Sequence, residues 1–479
     1  MTACRLVALT NHTTKIFERL IKNEIVLHLT LNQLYNETQH GFRKFRSTQT
    51  ALIEYYESIL HQMECNNAVD SIYLDFSKAF DKCDHGIILD KLSALGISGK
   101  LNKWIDDILR NRKQIVVVEG CKSDPVQVTS GVPQGSVLGP LLFLCLLYDI
   151  SEGIDTSILT SYADDTKVWR GISSAQDMQG LQNDLNSIYN WASANNMKFN
   201  DKKFQAIRFY SLFNTEGNYV NSEGTDIQFT QNVKDLGILI SDNLLFDDHI
   251  HALAAKGKQM AGWVLRTFFS RDPFLMKTCL KQLILPRIEY CCILWSPTSQ
   301  ALINLLESVQ RFFTKRVNFG DMEELSYCQR LKRFKLFSVE RRRERYIIMY
   351  TWKVLHNVYP NPGLVLNKVF PSLHDHHPAQ GIHLQSYNER TGIMLGHIQA
   401  ATLPTKLHTC SVLNKCCTLY NSLPPALRLL AQGDAEPNFE AFKTSLDNWL
   451  SSIPDQPYTA GSPRAAQSNS IVHQRNHCT

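Results

Sequence analysis

Ser71-Ile72-Tyr73-Leu74-Asp75-Phe76-Ser77-Lys78-Ala79-Phe80-Asp81 is the stretch on which the reading of this chain turns. Residues rich in β-formers run into a carboxylate, and a helix start follows from Ser77. Asp75 therefore stands at the end of an apolar strand. Further along, Ile158 to Ala163 and Thr166 to Trp169 read as a hairpin with Asp164-Asp165 at its turn. Adjacent carboxylates repel one another unless a cation lies between them. Magnesium prefers carboxylate oxygens, keeps several waters, and needs few protein ligands arriving from different elements. Taken alone, Asp164-Asp165 reads equally well as a solvated turn, where Asp is common.

The rest of the composition bounds what such a site belongs to. At 479 residues, 44% hydrophobic and 20% charged, the chain is globular and long enough for two or three domains. Its net charge of +5 is unevenly spread: residues 251–360 hold 19 Lys and Arg against 8 Asp and Glu. Such a basic block suits either a polyanion-binding surface or a solvated helical one. The 13 cysteines show no zinc-ligand spacing, and an odd count argues against a closed disulfide framework. An intracellular protein, in nucleus and cytoplasm, is expected. Met1-Thr-Ala-Cys-Arg5 has no apolar stretch of the kind a signal peptide needs. The apolar run Val137 to Ile150 is broken by Gly139-Pro140 and carries Asp149, so it predicts a buried helix and no membrane span.

Periodicity supplies the other elements. Arg5 to Leu34 reads as a helix, with Ile16, Leu20, Ile21 and Ile25 at helical spacing. A second helix follows the turn-like Gln39-His-Gly-Phe-Arg43, and a hairpin is expected from Gln114–Val118 and Pro125–Val128. Ala175 to Asn195 reads as an amphipathic helix. Beyond residue 240 helical stripes dominate. A Pro- and His-containing stretch from Pro360 to Gln380 suggests a boundary, and the polar tail from Pro454 reads as disordered.

Three stretches, in order, carry a resemblance. Tyr73-Leu-Asp-Phe-Ser-Lys-Ala-Phe-Asp81, Ser130-Gly-Val-Pro-Gln-Gly-Ser-Val-Leu-Gly-Pro140 and Tyr162-Ala-Asp-Asp165 resemble polymerase motifs A, B and C of reverse transcriptases, most closely the LINE-type, jockey-like branch. Gln39-His-Gly-Phe-Arg43 with Arg46-Ser-Thr48 resembles the fingers motif. Asn196-Met-Lys-Phe-Asn200 with Lys203 resembles motif D, and Val233-Lys-Asp-Leu-Gly237 the primer-contacting segment after it. Leu285-Pro-Arg-Ile-Glu-Tyr290, Leu294-Trp-Ser-Pro297 and Leu306-Glu-Ser-Val-Gln-Arg311 resemble the region behind the polymerase core.

The resemblance implies an α+β, right-hand polymerase fold: fingers and palm over 1–241, a basic helical thumb over 242–360, a mainly helical region over 361–453, and a disordered tail over 454–479. It implies RNA-directed DNA synthesis, with two Mg2+ ions (Mn2+ as a substitute) held by Asp75, Asp164 and Asp165 and the Phe76 carbonyl. The partners it implies are an RNA template, a DNA primer and deoxynucleoside triphosphates. Phe80 would exclude a ribonucleotide 2′-hydroxyl, though a core ring at a helix start is the plainer alternative. Gln134 and Gly135 would line the incoming nucleotide, since glycine permits close backbone approach. Lys203 would serve the leaving pyrophosphate, or be an ordinary surface lysine. Arg5, Arg43 and Arg46 are candidates for phosphate contacts. Lys256, Arg311, Arg341, Arg342 and Arg343 would hold the primer–template backbone, giving sequence-independent, salt-sensitive binding. Arg5 is followed by Leu6 where the family carries Arg-Pro, and only four residues precede it. An N-terminally truncated element without its endonuclease domain is therefore expected. An inactive nucleic-acid-binding remnant is the runner-up, and an RNA-dependent RNA polymerase the third reading, which Phe80 disfavours.

Overall fold

The computed structural model describes residues 8–65, 67–209, 217–320, 325–356, 358–359, 411–430, 438–457 and 469–474. They form two compact units, Met1–Ala51 with Asn66–Gln231, and Leu52–Cys65 with Asn232–Thr479.

The first unit is built on one antiparallel sheet. Its strands are β1 (Ala68–Leu74), β2 (Ile158–Tyr162), β3 (Asp165–Ile172) and β4 (Gln205–Phe209), in the order β2-β3-β1-β4. β1 lies in the middle and is buried along nearly its whole length. Asp70, fully buried on β1, is held by Arg208 of β4 at 2.6 Å and by the Tyr219 hydroxyl at 2.7 Å, which pins the edge strand to the centre. The helices His85–Ala94, Gly139–Leu146 and Ala175–Ala194 share one apolar core with the sheet. Gly139–Leu146 is buried at every position but Pro140, so the broken apolar run is a core helix, as expected. The N-terminal helix is shorter than the periodicity predicts, His12–Leu31. Its buried positions are Glu18, Ile25 and Leu29, which leaves Ile16 and Leu20 about 60% exposed. Glu18 earns its burial: its carboxylate accepts from the Val137 and Leu138 N–H groups at the start of the core helix.

The second unit is mainly helical. The helices Asp247–Thr267 and Gln300–Thr314 pack closely at Gly257, where a Cβ would meet Val309 Cγ1 at 3.0 Å and Ile288 Cγ2 at 2.7 Å. Val233 to Gly237 belongs to a hairpin, Asn232–Asp235 with Ile238–Ser241, whose turn residues Leu236 and Gly237 both have positive φ. The Tyr290 hydroxyl donates to Leu236 O at 2.9 Å. Three buried glutamates cap helix starts through backbone N–H groups: Glu57 at Val412, Glu307 at Val339 and Glu344 at Ile471. Burial pushes each carboxyl up to about 7.

The described parts of the tail depart from the expected disorder. Residues 454–457 and 469–474 pack onto the helix Val339–Leu355, with Asn469 and Ile471 buried and the Asp455 carboxylate accepting from Ser338 N at 2.7 Å. The local sequence is polar because its partners are backbone groups and charged side chains, not an apolar face. Most of 361–453 lies outside the described residues; within it, the helices Val412–Asn421, Pro425–Leu430 and Phe439–Ser452 are formed. Among the described residues no helix is long and apolar enough to cross a membrane.

Candidate active site

The sheet brings the expected carboxylates to one end. β1 and β3 are paired in a register that ends at Leu74 opposite Thr166, so Asp75 and Asp165 are the next facing positions along it. Asp164 sits in the turn between β2 and β3, which pair as far as Tyr162 opposite Asp165. Ala163, also in that turn, is in the left-handed region, φ 57°, which costs an L-residue about 1–2 kcal/mol. The strand leaving Asp75 is paired again: Asn200 N donates to Asp75 O at 2.7 Å, and Ser77 N to Lys198 O at 2.8 Å. Phe76, buried, stacks on Phe199 with ring centroids 4.4 Å apart. This brings the motif D-like segment alongside, and Lys203 Nζ donates to Asp75 Oδ2 at 2.9 Å. Among the described residues no three Asp, Glu, His or Cys side chains group closely enough to hold a metal ion as they stand. The donor chemistry nonetheless fits a hard cation, since an ammonium already rests on one of these oxygens and magnesium draws most of its ligands from water and phosphate.

One residue that the sequence reading did not single out holds this turn. Gln39, 5% exposed, accepts from Ala163 N and Gly41 N through Oε1, both at 2.7 Å, and donates from Nε2 to Ala163 O at 3.2 Å. Its backbone runs beside β2, where His40 N donates to Ser161 O at 2.8 Å and Ser161 N to Thr38 O at 2.9 Å. Arg43 and Arg46 belong to this arrangement and do not present themselves to phosphate. Arg43 donates to Asn36 O and Glu37, and stacks over the Tyr35 ring; Arg46 donates to Glu37 O and the Glu37 carboxylate. Both side chains are largely buried, because their forks close the loop on itself. Arg5 lies outside the described residues.

The nucleotide-side candidates surround the start of the helix Ala79–Lys82. Phe80 stacks on Phe143 at 4.4 Å and meets the edge of Phe42 at 6.1 Å, so it is a half-buried ring fixed by two others. Gln134 Nε2 donates to Asp81 Oδ1 at 2.9 Å, and Gly135, φ 111°, is exposed beside it. The Ser130–Pro140 loop is laced to the same helix by Val132 N to Phe80 O and Gly131 N to Cys83 O, both 2.8 Å. Gly131, φ 80°, is required there: a Cβ would meet Asp81 O at 2.6 Å.

The residues expected to grip nucleic acid divide. Lys256 is exposed on the helix Asp247–Thr267, and Arg311 is half-buried over the Tyr327 ring. Arg341 and Arg343 are 0% and 1% exposed, which contradicts a backbone-gripping role. Arg341 donates to the carbonyls of Leu450, Pro454 and Asn469; Arg343 faces Ser296; Arg342 pairs with Glu289. A buried guanidinium is tolerated only with partners, and Arg341 finds them in the C-terminal segments, which it holds in place.

With this geometry in place, comparison with known proteins is decisive. The family described as reverse transcriptase (RNA-dependent DNA polymerase) matches residues 1–240, half of the chain. The chain belongs to the reverse transcriptase family. Reverse transcriptases generally use divalent metal ions, and the described residues of this chain carry an α+β fold with the four-stranded sheet in its first unit. The chain is 27% identical over 317 residues to a probable RNA-directed DNA polymerase from transposon X-element of Drosophila melanogaster, covering 64% of this chain and 34% of that one. It is 30% identical over 250 residues to the RNA-directed DNA polymerase from mobile element jockey of Drosophila funebris, covering 50% and 27%. It thus spans about a third of the length of the curated relatives it matches. Among solved structures, apo telomerase from Candida tropicalis is similar at a TM-score of 0.38 and 11% identity, covering 66% of this chain and 53% of that one.

Proposed function

We propose that this reverse transcriptase chain is itself a working RNA-directed DNA polymerase, copying an RNA template onto a DNA primer with deoxynucleoside triphosphates. The observation that carries this is the convergence of Asp75, Asp164 and Asp165 at one end of the sheet, with Lys203 on Asp75 and Phe80 and Gln134 at the neighbouring helix start. In this reading the primer 3′-oxygen attacks the α-phosphorus of the nucleotide. The new ester bond forms as the bond to pyrophosphate breaks. Bound Mg2+, or Mn2+ in its place, would lower the pKa of the attacking hydroxyl and neutralise the departing charge. The three carboxylates and the Phe76 carbonyl would hold the ions. Lys203, mostly exposed, can leave Asp75 for the leaving pyrophosphate and give it a proton. Phe80 stands against the sugar, and Gln134, placed by Asp81, against the base.

The test is primer extension by the purified chain on an RNA template with an annealed DNA primer, with Mg2+ and with Mn2+. Extension with deoxynucleotides supports the reading. Tight binding of primer–template with no extension in either metal contradicts it and leaves a nucleic-acid-binding remnant.

A further inference from the structure

The Ala163–Asp164 turn is strained, buried at Ala163, and supported from outside the sheet. Ala163 keeps a left-handed φ although it has a side chain, and both its N–H and its C=O are taken by one residue, Gln39. The same Oε1 accepts from Gly41 N, which folds the loop tightly enough that a Cβ on Gly41 would lie 2.4 Å from Ala163 N. The loop cannot drift, because Asn36 donates to Tyr148 O and Ser151 Oγ at 3.0 Å, while Arg43 and Arg46 close on Glu37. From it Phe42, φ 57°, reaches the edge of Phe80. One segment therefore touches both the carboxylate turn and the ring at the sugar position.

We infer that Gln39 is a positioning residue: it clamps Ala163 so that Asp164 is held ready to bind metal before substrate arrives. This rests on the polymerase reading for its kinetic consequences, but not for its metal-binding ones. A pre-set turn makes the strain part of the apo protein and removes reorganisation from each catalytic cycle. Partners that orient a ligand from behind typically govern about 10–100-fold in metal affinity or activity.

The experiment uses the full chain and Mn2+ alone as probe, with affinity read by electron paramagnetic resonance and extension kinetics measured alongside. Gln39→Met keeps the volume of the side chain and removes all three hydrogen bonds. Gly41→Ala keeps the glutamine and pushes on Ala163 N and Gln39 Oε1 from the other side, at a φ that alanine tolerates. Both variants are expected to lose Mn2+ affinity by about 10-fold or more. Their kcat should fall while the KM for nucleotide and the affinity for primer–template stay close to wild type. A fold lost in one variant is detected by near-ultraviolet circular dichroism, and the other variant then decides. Wild-type Mn2+ affinity in a folded Gln39→Met or Gly41→Ala protein overturns the inference. A wild-type chain that binds Mn2+ but extends no primer overturns the polymerase reading instead, and the Mn2+ comparison still judges the clamp.

Discussion

The ammonium of Lys203 lies 2.9 Å from Asp75 Oδ2 while most of the lysine side chain remains in solvent. A cation so placed competes with metal for Asp75 in the substrate-free protein, yet is free to leave when metal arrives. An exposed pair of this kind is worth at most about 1 kcal/mol. Lys203→Ala should therefore bind Mn2+ slightly more tightly without nucleotide, by no more than about fivefold. Its kcat should nevertheless fall by about 100-fold or more, as for loss of a general acid. A metal titration and a kinetic titration on one preparation check both signs.

Phe80 is held between Phe143 and Phe42, so its ring cannot swing aside cheaply. A fixed ring excludes a hydroxyl by contact, whereas an apolar pocket alone discriminates only about 100-fold. Phe80→Val is expected to admit ribonucleotides, raising their kcat/KM relative to deoxynucleotides by about 10-fold or more. Competition assays with paired nucleotides measure the ratio. Unchanged selectivity returns Phe80 to the core.

Arg341 gives three donors to the carbonyls of Leu450, Pro454 and Asn469, so it is a structural residue. Arg341→Met should lower unfolding free energy by roughly 3 kcal/mol or more, since each orphaned buried carbonyl costs about 1–3. Its salt dependence of primer–template binding should be that of wild type. Lys256→Ala, on an exposed helix face, should do the reverse: stability unchanged and the salt slope reduced by about 0.7–0.9. Denaturation curves and a salt series separate the two.

Burial raises Glu57, Glu307 and Glu344 from their ordinary range to about 7. The folded protein then binds more protons than the unfolded chain between about pH 4.5 and 7, so stability falls as pH rises through that window. Unfolding midpoints should be higher near pH 5.5 than near pH 8. Glu307→Gln, which cannot ionise, should flatten the dependence; a pH-independent midpoint in the wild type contradicts the shifts.

What was legible in the sequence was local or carried by motif order. Asp75 could be placed at a strand end because β-formers precede it and a helix start follows, and Asp164 at a turn because two strand patterns flank it. Gln39 could not be read as the clamp, because its partner Ala163 is far away in sequence and a glutamine before a glycine suggests only a turn. The Arg341–Arg343 run read as a grip on the primer–template backbone for a related reason. The acceptors of Arg341 are backbone carbonyls more than a hundred residues on, and backbone groups leave no trace in a side-chain pattern. Arg43 and Arg46 were misread because guanidinium groups suit phosphate and carbonyl oxygens alike. Ile16 and Leu20 show the limit of periodicity: a stripe marks an apolar face but not which face is covered, and the buried positions are those around Ile25 and Leu29.

The central claim is that the carboxylates at the end of β1 and in the β2–β3 turn hold the metals of a DNA polymerase. Single-turnover extension of a DNA primer on an RNA template in Mg2+, comparing wild type with Asp164→Asn at equal primer–template occupancy, addresses it most directly. The account predicts that the variant binds primer–template as wild type does and extends none of it, because a metal ligand and not a backbone contact has been removed. Extension by Asp164→Asn at the wild-type rate would contradict it.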